Sequence, residues 1–251
     1  MTVNSDSIAA ILVTGANRGI GLGLVKAFAE RPNTIVFATA RNPAKSEELQ
    51  AYVKQHTNVH ILKLEATSDE DHKKVAEEIK KVVNGLDVVV INAGISSPKD
   101  GYGSNVSIEA FRETLEVNTL GPLRGWQAFS SLLKAKQTRK FFVISSLLGS
   151  ITEIPQAAEF PTIAYNTSKS AVNSLTRKLA YENKKDNFSI QPLHPGWVAT
   201  DMGNTGAAAA GLKEAPVKVP DSVKGLVALI DKATPENTGT FWGFDGQEIA
   251  W

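Results

Sequence analysis

"TGANRGIG", residues 14–21, follows the apolar run "AILV" (10–13) and leads directly into the helical pattern "LGLVKAFAER". Glycines at 15, 19 and 21 let the backbone turn tightly and approach a ligand without side-chain obstruction, while free N–H groups at a helix start attract phosphate. Strand, glycine turn and helix in that order open a nucleotide-binding α/β unit, although the spacing here is G-x-x-x-G-x-G and not the G-x-G-x-x-G fingerprint. A tight strand-to-helix turn with no ligand is the plainer reading. The rest of the chain decides between them.

Working outward, β-rich apolar runs recur at "TIVFATA" (34–40), "VHILKL" (59–64), "LDVVVINA" (86–93), "KFFVISS" (140–146), "FSIQPLHP" (188–195) and "TFWGF" (240–244). Helical patterns separate them, and their apolarity is continuous where a half-exposed strand would alternate. The expectation is an α/β fold: a single doubly wound domain over residues 1–251, with a seven-stranded parallel sheet covered on both faces. In "SDEDHKKVAEEIKKVV" (68–83), Val75, Ile79, Val82 and Val83 share one face, so the charge on the other reads as a solvated helix surface. Between Asp201 and Pro220, "GNTGAAAAGLKEAPVKV" lacks such a pattern. It reads as a loop over the sheet edge, either a mobile lid or a long connection.

Lys plus Arg (27) nearly equals Asp plus Glu (26), and a net charge of +1 supplies no broad field for gripping nucleic acid or a membrane. With no cysteine, disulfides, thiolate–zinc sites and cysteine nucleophiles are excluded. The start "MTVNSDSIAA" has neither the basic nor the apolar part of a leader, and no apolar run approaches the ~20 residues that span a bilayer. A cytoplasmic protein is expected. His56 and His60 straddle a helix-to-strand transition and make a poor metal site.

Arg18 lies inside the glycine turn, and Arg41 follows the second strand, where a dinucleotide fold places the adenosine ribose. An NAD site would carry a carboxylate there. "FATARNP" instead offers Ala40 and Arg41, which suits a 2′-phosphate, so the expected cofactor is NADPH/NADP+. In "AYNTSKSAV" (164–172), Tyr165 and Lys169 stand four positions apart, about 6 Å along one helix face. Taken alone, they are either an ordinary solvent-facing pair or a phenol tuned for proton chemistry.

In order, "TGANRGIG", "NAG" (92–94), Asn118 in "LEVNTLG", "ISSLLG" (144–149), "YNTSK" (165–169) and "PGWVATDMG" (195–203) resemble the short-chain dehydrogenase/reductase family over essentially the whole chain. "HPGWVATDMG" and the closing "GFDGQEIAW" resemble its carbonyl-reductase branch, which includes fungal norsolorinic acid ketoreductase-like proteins. The resemblance implies a Rossmann-type fold and an NADPH-dependent oxidoreductase acting on CH–OH/C=O groups, passing hydride from NADPH to a ketone or aldehyde. It implies that Tyr165 is the acid that protonates the carbonyl oxygen and that Ser146 hydrogen-bonds that oxygen. Lys169 would hold the nicotinamide ribose and lower the tyrosine pKa from its usual ~10, and Asn118 would support Lys169 through a water-linked proton path. Gly15, Asn17, Arg18, Gly19, Ile20, Arg41, Asn92, Ala93, Gly94, Pro195, Gly196, Val198 and Thr200, with Tyr165 and Lys169, would contact or frame the cofactor. The implied partners are a small-molecule carbonyl substrate and further copies of the chain, as a dimer or tetramer packed on long helices near 107–135 and 163–184.

Two departures matter. Glu65 stands where many members have an adenine-binding aspartate, and the stretch 147–164 between Ser146 and Tyr165 is longer than usual. Phe160 and Ile154 in that stretch either shape specificity or pack on the surface. Ser145 rivals Ser146, and the distance to Gly149 favours Ser146. Trp197 touches either substrate or core, with core the favoured reading, His194 reads as a satisfied structural histidine, and Trp251 as docked on its own sheet or on another subunit. Rival functions are an NADP-linked alcohol, polyol or steroid dehydrogenase and a non-catalytic NADPH-binding regulator. Retention of Asn118, Ser146, Tyr165 and Lys169 together argues against the regulator.

Overall fold

The structure is a computed structural model and describes residues 8–251; most of the start read above as leader-free lies outside them. Seven strands form one sheet: β1 (Ala9–Val13), β2 (Thr34–Ala40), β3 (Val59–Lys63), β4 (Val88–Ile91), β5 (Lys140–Ile144), β6 (Ser189–His194) and β7 (Trp242–Gly243). Every pair is parallel, and the order is β3-β2-β1-β4-β5-β6-β7. The seven-stranded parallel sheet expected from the apolar runs is thus present. Continuous apolarity arises because both faces are covered: Ile11 and Val13 face one core and Ala10 and Leu12 the other.

On the first face lie α1 (Gly19–Ala29), α2 (Glu47–Val53) and α9 (Val219–Lys232), represented in the core by Leu24, Phe28, Leu49, Leu226 and Ile230. The second face carries α3 (Asp69–Val82), α5 (Gly121–Lys134) and α7 (Ile163–Glu182), whose Ile79, Phe129, Leu133, Val172 and Leu179 pack against Phe37, Phe141 and Phe188. In α3, Val75 and Ile79 are buried as the periodicity requires, but Val82 is 45% exposed because the helix ends there and turns away from the sheet. Ser68 caps α3 by accepting the Asp71 amide at 3.0 Å.

Helix α4 (Ile108–Leu115) runs into α5 through a π-helical turn, Glu116–Leu120. The short α6 (Ile154–Ala157) interrupts the long stretch before α7. The expectation of a loop after Asp201 is corrected: Asp201–Ala209 is a helix, α8. Thr200 starts it by accepting the Gly203 amide at 3.2 Å, and the alanine run favours helix despite having no amphipathic period to read. The order in which strands are added reverses between β1 and β4, and a crevice opens there beyond the strand ends. Among the described residues no helix is long and apolar enough to cross a membrane.

Candidate active site

A cavity of about 1080 Å³ occupies that crevice. It is lined by Gly15, Asn17, Arg18, Gly19 and Ile20 of the first turn, Arg41 after β2, and Asn92, Ala93 and Gly94 after β4. Ser146, Tyr165 and Lys169 line its other end, together with Pro195, Gly196, Val198 and Thr200 after β6. Asn118 is not on the wall but directly behind it.

The glycine turn is built as its composition requires. Gly15 and Gly19 have φ of +63° and +56°, and a Cβ at Gly15 would lie 2.8 Å from the Ala93 Cα. Asn92 holds the turn from below, its side-chain amide donating to the Thr14 and Gly15 carbonyls at 3.0 Å each. Thr14 returns the tie, its hydroxyl oxygen accepting the Asn92 and Ala93 amides at 3.0 and 3.1 Å. No side-chain cap closes the start of α1 among the described residues, so its first amides and the positive end of its dipole remain for an anion. Nearby, the buried Thr39 hydroxyl has no partner among the described residues and lies in the cavity wall. These features fit a dinucleotide with its pyrophosphate at the turn. Arg18 forms an ion pair with Asp201 across the cavity mouth, and Arg41 sits 3.9 Å from Glu65. Both guanidiniums border the cavity, each faced by a carboxylate.

At the other end, α7 brings Tyr165 and Lys169 onto one face, with the ammonium 5.6 Å from the phenol ring centre. The solvent-facing reading of this pair is corrected, since Lys169 is only 5% exposed. Its Nζ donates to the Ile144 carbonyl at 2.8 Å, and burial pulls it down to about 8. The Ser146 hydroxyl, which accepts the Leu148 amide at 3.2 Å, favours ionisation of the phenol. Even so, loss of water pushes the Tyr165 phenol up to about 12, opposite to the lowering expected from Lys169, because desolvation outweighs the influence of Ser146. The chain's own groups thus hold Tyr165 as a proton carrier.

Asn118 stands in the π turn, and its side chain accepts the Ile95 amide and donates to the Ile95 carbonyl, both at 2.8 Å. It also donates to the Ser168 hydroxyl at 3.0 Å, which in turn donates to the Tyr165 carbonyl at 2.7 Å. Asn118 thereby ties the segment that follows Gly94 to α7. Ser145 also lines the cavity, but its hydroxyl is committed to Asn173, to which it donates at 2.5 Å, so it is the weaker of the two serines.

Several contributors escaped the sequence reading. Asp100 accepts the Ala164 and Tyr165 amides at 2.9 Å each, capping α7 from a loop 65 positions away, which no local signal betrays. Trp197 lines the cavity instead of the core, its indole donating to the Gly203 carbonyl at 2.9 Å and its ring edge meeting Phe160 at 6.0 Å. Phe160 therefore belongs to the cavity wall, whereas Ile154 is an exposed surface residue. His194 accepts the Leu147 amide at 3.1 Å, and burial holds it near 4, so the structural reading of this histidine stands.

A family model described as short chain dehydrogenase matches residues 9–210. Norsolorinic acid ketoreductase of Aspergillus parasiticus is 36% identical over 247 residues, covering 96% of this chain and 90% of that protein. Among solved structures, NADPH-bound carbonyl reductase from chicken fatty liver superposes with a TM-score of 0.88 at 32% identity, over 97% of this chain and 94% of that one. Carbonyl reductase Sniffer of D. melanogaster gives 0.87 at 34%, over 97% of this chain and 100% of that one. With the family model matching most of the chain and relatives above 30% identity covering nearly all of it, the chain belongs to the short-chain dehydrogenase family.

Proposed function

We propose that this protein is an NADPH-dependent carbonyl reductase that converts a ketone or aldehyde to the alcohol. The observation that carries the reading is that Ser146, Tyr165 and the buried Lys169 line the same cavity as the glycine turn, Arg18 and Arg41. Relatives whose names state ketone or carbonyl reduction, one of them with NADPH bound, support it.

NADPH, when bound, supplies the hydride. The glycine turn and the amides of α1 would hold its pyrophosphate, and Arg18 and Arg41 its 2′-phosphate. Ser146 and Tyr165, which line the same cavity, would together orient the carbonyl oxygen and polarise it. As negative charge develops there, Tyr165 passes its proton to an oxygen far more basic than phenolate. Lys169, anchored on the Ile144 carbonyl, would hold the cofactor ribose beside the phenol and counter the phenolate left behind. Leu147, Leu148, Phe160, Trp197 and Met202 line the remaining wall, which favours an apolar carbonyl compound over a polyol.

The test is a panel of carbonyl compounds assayed by NADPH consumption with wild type and Tyr165→Phe. Turnover should fall on the order of a thousandfold in the variant while NADPH affinity stays within about twofold. Undiminished turnover would overturn the role of Tyr165, and no carbonyl reduced by wild type would overturn the function.

A further inference from the structure

Beyond the cavity, the segment 243–251 folds back across the turn that follows Ser146. The Gly243 amide donates to the Gln247 carbonyl at 2.8 Å, and the Ile249 amide to the Phe241 carbonyl at 2.8 Å, so the segment is tied at its base. Its far end makes a second set of contacts. The Trp251 carbonyl accepts both the Thr152 amide at 3.0 Å and the Thr152 hydroxyl at 2.7 Å. The Ala250 carbonyl accepts the hydroxyl of Ser150, a fully buried residue, at 2.6 Å. The Trp251 ring lies 5.7 Å from the Phe241 ring, and the Arg177 guanidinium stacks on it at 4.5 Å.

Between Ser146 and Glu153 the cavity-side part of the turn is held at Leu147, whose amide His194 accepts at 3.1 Å, and at Gly149, whose carbonyl accepts the Asn173 side-chain amide at 3.2 Å, while Ser150 and Thr152 are tied to the 243–251 segment. Gly149 sits flat on α7, where a Cβ would come within 2.7 Å of the Lys169 carbonyl carbon, and Ser150 accepts the Glu153 amide at 3.3 Å. Leu147, Leu148 and Glu153 in this turn line the cavity beside Tyr165. We propose that Trp251 is a positioning residue for the substrate: together with Ala250 it clasps Ser150 and Thr152 and so sets the wall formed by residues 147–153. The clasp acts on the wall that would face the carbonyl compound and makes no contact with the glycine turn. Its kinetic consequence rests on the reductase reading, and its structural consequence does not.

The experiment compares wild type with Trp251→Ala, Trp251→Phe and Thr152→Val. Backbone amides of 147–156 should exchange with deuterium on the order of tenfold faster in Trp251→Ala, with amides of the central strands unchanged. KM for a reducible carbonyl should rise on the order of tenfold, with kcat and NADPH affinity within about twofold, and Trp251→Phe should restore most of the loss. Thr152→Val removes one hydroxyl donor and should move both readouts the same way by a smaller amount. Should Trp251→Ala not fold, Thr152→Val carries the decision. Unchanged exchange at 147–156, or equal losses in carbonyl KM and NADPH affinity, would overturn the proposal. Exchange is read without substrate, so a protein that reduces no carbonyl leaves the clasp still decided.

Discussion

Arg18 and Asp201, 183 positions apart, form an ion pair that joins the glycine turn to the first residue of α8 across the cavity mouth. Both side chains are largely exposed, so the pair itself contributes little to folding. Its position makes Asp201 a competitor for the guanidinium that would meet a 2′-phosphate. Asp201→Asn should therefore tighten binding of 2′,5′-ADP by about two- to fivefold at low salt, an advantage that fades as salt rises. Unchanged or weaker binding in a fluorescence titration would take Arg18 out of the phosphate site.

Arg41 is 79% exposed and only loosely opposed by Glu65, which leaves it free to choose the cofactor. Arg41→Asp should weaken NADPH on the order of a hundredfold and NADH by less than about threefold. Equal losses in the two titrations would refute the NADPH assignment.

Asp100 holds the start of α7, and with it the backbone of Tyr165, by two amide bonds. Asp100→Ala should cost about 1 kcal/mol in chemical denaturation and lower kcat more than it raises KM. Asp100→Ser, which keeps an acceptor, should recover part of both. A variant that loses stability with kcat intact would reduce Asp100 to a simple cap.

His194 is held near 4 by burial, below its unfolded value of 6.5. Between those values the unfolded chain binds a proton that the folded chain refuses, so stability falls as pH falls from 6.5 to 4. His194→Gln, which retains an acceptor for the Leu147 amide, should make that acid limb shallower by up to ~1.4 kcal/mol per pH unit. The measurement is urea denaturation across that range, and parallel slopes for wild type and variant would be the contrary result.

The seven strands were legible because a buried parallel strand writes itself as an uninterrupted apolar run, as in "DVVVI". Asn118, Ser146, Tyr165 and Lys169 stood out through their motifs, and the packing that puts Ser146, Tyr165 and Lys169 on one cavity wall is stated by no motif. Helix α8 was missed because Gly and Ala leave no apolar stripe, although Thr200 and Asp201 were a readable start. Asp100 and Trp251 act across 65 and 99 positions, beyond any local pattern. The upward push on Tyr165 was missed for a related reason: a sequence shows that a lysine is near but not how much water has gone.

The π turn at Glu116–Leu120 accommodates one residue more than an α-helix would, and Asn118 reaches Ile95 and Ser168 from within it. Shortening that turn by a single residue would swing its flank by about 100° and carry the amide off both partners. The helix from 108 to 134 can thus drift in spelling over evolutionary time, yet it is locked in length.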